Sequence, residues 1–101
     1  MALRMQGTLF PVISLGAGQP KLVSLAVTTA RSAALSSTVD MIRVWASVDC
    51  FVRAGGASVD ATTSDHPLTA KVPEILQLNG ATNIAGIVSS GTGTLFISEL
   101  S

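Results

Sequence analysis

Tyrosine is absent from this 101-residue chain, and cysteine, histidine and tryptophan occur once each. The single cysteine, Cys50, excludes an intramolecular disulfide and any zinc site built from two or four thiolates. A chain this small without disulfides relies on its core or on partners for stability, which fits a reducing interior or a protein-stabilised assembly better than a secreted mini-domain. With His66 as the only histidine, triad or general acid–base chemistry has to run through that one residue. The aromatics Trp45, Phe10, Phe51 and Phe96 are too sparse to form a stacking platform for bases or sugars.

Charge is scarce as well. Only 12% of the residues are charged, about half the usual share, and six basic side chains balance six acidic ones. Lys and Arg nowhere cluster, whereas binding a phosphate backbone needs a basic stripe; nucleic acid is not an expected partner. No segment reads as a membrane span. The longest uncharged stretch, Ile75 to Ser98, is broken by Gln77, Asn79, Gly80 and Asn83. Gln6, Gly7 and Pro11 interrupt what would be the apolar centre of a signal after Arg4. The chain reads as soluble and unprocessed, with no membrane partner.

What the chain has in quantity is apolar side chains, 48% of its residues. A single domain over residues 1–101 still exposes roughly a third of its unfolded surface, and there are too few charges to coat it. Either Ser and Thr cover most of that surface or part of it is buried against another chain, and both are expected, since apolar surplus marks interaction faces. Near-zero net charge also offers little repulsion against association. A homo-oligomer, dimer or trimer, is the expectation.

Short β-branched runs punctuated by Gly, Pro, Asn and Ser recur at sandwich or barrel spacing. Met5–Ile13 reads as a first strand, with Pro11 marking an edge or bulge. Gly16–Pro20 reads as a turn and Leu22–Thr28 as a strand. Ala30–Leu35 has some helical propensity, but poor helix formers surround it. Met41–Val48 is the clearest strand: Ile42, Val44, Ala46 and Val48 share one face, and Met41, Arg43, Trp45 and Ser47 the other. Cys50–Arg53 follows, then a hairpin or corner at Ala54–Ala57, a brief edge strand at Ser58–Ala61 and a loop over Thr62–Ala70. Val72–Leu78 is next, and Asn79-Gly80 is the strongest hairpin signal in the chain. It leads to Thr82–Val88, a turn at Ser89–Gly93 and a last strand at Thr94–Leu100. The expected fold is all-β: one small antiparallel β-sandwich, jelly-roll-like, or a barrel. Residues 1–20 read as an edge strand or an arm contacting partners.

Candidate chemistry is thin. His66 stands in Thr-Ser-Asp-His-Pro, and a catalytic reading would have Asp65 orient it beside Ser64. Adjacent side chains in a loop point apart, so a turn ahead of Pro67 is the expected role. His66, Cys50, Asp49 and Asp60 show no recognised ligand spacing. Cys50, between Val48 and Val52, reads as a buried small hydrophobe. Gly16-Ala17-Gly18-Gln19-Pro20 lacks the third glycine of a dinucleotide loop, and Gly91-Thr92-Gly93-Thr94 lacks the Lys of a P-loop. No catalytic, cofactor or metal residue is assigned. Trp45 serves equally well as core or as an exposed interface anchor. It heads the candidate interface residues, with Phe10 and Met5.

One stretch goes further than any motif. From Val44 onward the chain carries Asp49-Cys50-Phe51-Val52-Arg53-Ala54-Gly55-Gly56, then Ala61-Thr62-Thr63-Ser64-Asp65-His66-Pro67-Leu68 and Val72-Pro73-Glu74. Ile84-Ala85-Gly86-Ile87 and Gly93-Thr94-Leu95-Phe96-Ile97-Ser98-Glu99-Leu100 follow. This order resembles a group of small virion-associated proteins of tailed bacteriophages. The resemblance implies a non-enzymatic β-sandwich on the capsid exterior, assembled in the host cytoplasm. It would act as a decoration (cement) protein bound to the major capsid protein or other virion proteins. A tail or head–tail component, or a carbohydrate- or receptor-binding sandwich, is the alternative.

Overall fold

The computed structural model describes residues 20–100 of the chain. The expected strand Met5–Ile13, the glycines of the 16–20 turn and the interface candidates Met5 and Phe10 lie outside the described residues. Eight strands follow in order: β1 (Lys21–Leu25), β2 (Ala30–Arg31), β3 (Met41–Ala46), β4 (Cys50–Gly55), β5 (His66–Leu68), β6 (Glu74–Gln77), β7 (Asn83–Ile87) and β8 (Gly93–Leu100). Among the described residues there is no helix, and none that could cross a membrane.

The pairing is nested. β1 pairs with β8, β2 with β7, β3 with β6 and β4 with β5, all antiparallel. The strands therefore run as one long folded-back ribbon. Rolling that ribbon sets β3 beside β8 and β4 beside β7. Two four-stranded sheets result, ordered β1-β8-β3-β6 and β2-β7-β4-β5. This is the eight-stranded jelly roll, a double sheet that leaves few open edges.

The core between the sheets is aliphatic. Val23 and Leu25, then Ile42 and Val44, then Leu95 and Ile97 come from one sheet; Val52 and Ile84 come from the other, with Cys50 beside them. Alternation along each strand puts these residues on one face and their neighbours outside. Gly86 also faces inward, where a Cβ would stand 2.7 Å from Leu25 Cδ2. β7 therefore lies so close under β1 that any side chain at this position has to displace the Leu25 side chain.

β2 is two residues long, and Ser32 extends its pairing with side-chain chemistry. The Ser32 N–H donates to the Ile84 carbonyl at 2.8 Å, and its hydroxyl accepts from the Ile84 N–H at 3.0 Å. Asn83 Nδ2 donates to the Ser32 carbonyl at 3.0 Å. These are the two buried polar residues among those described, and both are satisfied.

Three expectations change. Ser58–Ala61 is not a strand: Arg31 Nε donates to the Val59 carbonyl at 2.6 Å, and the Ala61 N–H donates to Thr29 Oγ1 at 2.8 Å, so side chains take the place of a ladder. The expected loop at Thr62–Ala70 contains β5, because Cys50, Phe51 and Val52 need an edge partner and Leu68 supplies a buried side chain. Pro67 is tolerated there since β5 is an edge strand. Asn79-Gly80 makes the turn it signals, with positive φ at both residues and Ala81 N–H donating to the Leu78 carbonyl at 3.0 Å. Its flanking strands do not pair, however: β6 belongs to one sheet and β7 to the other.

Candidate interaction face

Every aromatic residue of the described chain lies on an outward face. Along β3 and β8, burial of Ile42, Val44, Leu95 and Ile97 turns Arg43, Trp45, Phe96 and Ser98 outward. Trp45 and Phe96 are direct cross-strand partners. Their ring centroids are 5.4 Å apart at an interplanar angle of 59°, a tilted arrangement that suits the ring quadrupoles. On the other side of Phe96 lies Leu22, so Leu22, Phe96 and Trp45 form one row across β1, β8 and β3. Leu22 is 58% exposed, and Ile75 on β6 is 55% exposed.

Arg43 interrupts this apolar surface. It stands two residues from Trp45 on the same strand face, opposite Ser98 on one side and Ile75 on the other. Together Pro20, Arg43, Trp45, Phe96 and Ser98 line a shallow depression of about 320 Å³. No other charged side chain projects from this face among the described residues of β1, β3, β6 and β8. No carboxylate among the described residues pairs with Arg43.

The opposite sheet repeats the pattern on a smaller scale. Phe51, half-buried, is flanked in register by Pro67 and Ile87. A third feature lies at the edge where β5 and β6 meet. There Val52, Leu76, Leu78 and Ile84 wall an apolar cavity of about 210 Å³, with His66 and Arg53 at its rim.

The residues screened for chemistry are dispersed. His66 Nε2 lies 2.9 Å from Glu74 Oε1, not beside Asp65. Asp65 instead accepts from the Thr62 N–H at 2.7 Å and closes the turn ahead of Pro67. Asp49 accepts from the Ala70 N–H at 2.7 Å, tying the β3–β4 connection to the end of β5. Asp60 pairs with Arg31 at 3.2 Å on the surface. Cys50 is buried, and burial, assisted by the charge of Asp49, pushes its thiol up to about 11. Gly91, with a φ of 77°, turns the chain into β8 rather than cradling a phosphate. Among the described residues no three metal-ligating side chains converge.

Sequence reasoning singled out Trp45 but passed over Phe96, Leu22 and Arg43. The alternation of Met41–Val48 already put Arg43 beside Trp45. The cross-strand partners needed the register, which no local pattern supplies. Comparison with protein-family models, with curated proteins and with solved structures returned no match.

Proposed function

We propose that this chain is a structural, non-enzymatic protein of a tailed-phage virion, which decorates the capsid and stabilises it through protein–protein contacts. The observation that carries the reading is the distribution of ring systems. The core is filled by aliphatic side chains, while Trp45, Phe96 and Phe51 are spent on outward faces. Aromatics are enriched where proteins meet, and an outward row of Leu22, Phe96 and Trp45 is the pattern of a contact core. The jelly roll, an architecture shared by viral capsid domains, and the resemblance running from Val44 to Leu100 support the phage assignment by analogy.

The mechanism is linkage. A protein that binds assembled shell in preference to free subunits shifts the equilibrium away from disassembly. A homo-oligomer on a symmetry axis would multiply the contacts.

Light scattering and co-sedimentation with isolated shells of the phage test this reading. The expected result is a dimer or trimer that sediments with shells and raises their disruption temperature, and a Trp45→Ser protein that folds but stays in the supernatant. A monomer that ignores shells overturns it.

The open depression beside the half-buried Trp45 favours a second reading, a receptor- or carbohydrate-binding module on a tail appendage, because an indole face also stacks on sugars. Saturable binding to host surface glycans, with none to shells, would select it.

A further inference from the structure

We propose that the depression formed by Arg43, Trp45, Phe96 and Ser98 is a subsite for an apolar side chain flanked by a carboxylate, presented by a protein partner. The inference deepens the reading of this chain as a contact module, on which it rests, and names what the partner must bring to its main face.

The argument begins with the cost of covering Arg43. Among the described residues it is the only charge projecting from the outer face of β1, β8, β3 and β6, and it lies between Ile75 and Ser98 and beside Trp45. Any partner that buries Leu22, Phe96 and Trp45 also takes this guanidinium out of water. Desolvating a cation without a counter-charge opposes binding. The chain offers Arg43 no carboxylate among its described residues. Residues 1–19 hold no Asp or Glu either, so a partner is the source of the acceptor, and a planar guanidinium takes a carboxylate with two parallel hydrogen bonds.

Shape sets the rest. A volume of about 320 Å³ has room for a Leu- or Phe-sized group against the Trp45–Phe96 pair, with its carboxylate turned toward Arg43 and the Ser98 hydroxyl. Leu22 and Ile75, 58% and 55% exposed on either side, extend the apolar surface beyond the footprint of a small molecule. That extension points to a protein segment as the occupant.

Trp45 is the only tryptophan in the chain, so its fluorescence reports the site directly. The probes are 4-phenylbutyrate and its uncharged amide, titrated into the full chain. Expected are a saturable change in Trp45 emission with the carboxylate, roughly fivefold weaker binding of the amide, and weakening of the carboxylate with added salt. Arg43→Gln should abolish the difference between acid and amide, and Arg43→Lys should retain part of it. Circular dichroism checks that both variants fold.

Equal affinities for acid and amide, or no saturable change, would overturn the proposal. So would a neutral oligosaccharide that shifts Trp45 emission where the carboxylate does not. Shell binding by the same proteins separates this inference from the function it rests on. A chain that takes the carboxylate but ignores shells keeps the subsite and loses the capsid as its partner. A chain that binds shells but does not distinguish acid from amide keeps the capsid and loses the subsite.

Discussion

His66 Nε2 and Glu74 Oε1 lie 2.9 Å apart, and this contact joins the edge strands of opposite sheets. β5 and β6 are the edges at one side of the sandwich, whereas at the other β1 rests against β2 and β7. Both partners of the pair are partly exposed, so solvent screens it. A double-mutant cycle on His66→Ala and Glu74→Ala should give a coupling of about 0.2–1 kcal/mol by urea unfolding, in the range of exposed pairs. A coupling several times larger would mean that the edge is held far more rigidly than its exposure implies.

Cys50 yields a prediction with a definite sign. Its folded thiol titrates near 11, against 9.0 for an unburied one. Below pH 9 both folded and unfolded states keep the proton, and stability does not depend on this group. Between pH 9 and 11 the unfolded chain loses its proton while the folded chain holds it, so stability falls as pH rises. The loss, on the order of 2 kcal/mol across that window, should be absent in Cys50→Ala. Near neutral pH a thiol reagent should modify Cys50 in urea and leave the folded protein unmodified.

Ser32 is the weak point of the β2–β7 pairing. Ser32→Ala removes the hydroxyl that accepts from the Ile84 N–H and leaves a buried donor unpaired. A cost of about 1–3 kcal/mol is expected, together with faster hydrogen exchange at Ile84. Unchanged exchange there would show that another acceptor moves in.

Gly86 answers to packing. Gly86→Ala places a methyl group against Leu25, which is 1% exposed and has little room to give. The cost should be about 1–3 kcal/mol. Leu25→Ala in the same protein should recover part of it, since the cavity left by Leu25 accepts the new methyl.

Neighbours on β8 separate core from face. Ile97→Ala should cost about 2–5 kcal/mol, as for a fully buried aliphatic side chain. Phe96→Ala, removing a larger side chain from a half-buried position, should cost less, near the roughly 0.5–1.5 kcal/mol of an aromatic pair plus its partial burial. The reverse order in urea unfolding would place Phe96 in a core that the outward face of β8 does not show.

Much of this molecule is written locally. Alternation over Met41–Val48 fixes which side chains of β3 point inward, because a strand turns successive residues to opposite faces. Gly, Pro and Asn mark the connections, since few other residues accept their backbone angles; Asn79-Gly80, both at positive φ, form the turn their identity demands. Burial of Cys50 follows from its apolar neighbours. What local pattern leaves open is which strand lies beside which. The same Asn79-Gly80 turn serves a hairpin or a crossing between sheets, and only nested pairing of β1 with β8 and β3 with β6 makes it a crossing. β5 shows the same limit: His66-Pro67-Leu68 has a loop's composition and becomes a strand because β4 offers an unpaired edge. The candidate interaction face is likewise a product of register. Leu22, Phe96 and Trp45 are far apart in sequence, and their row exists because strand pairing, a long-range hydrogen-bond arrangement, sets them side by side.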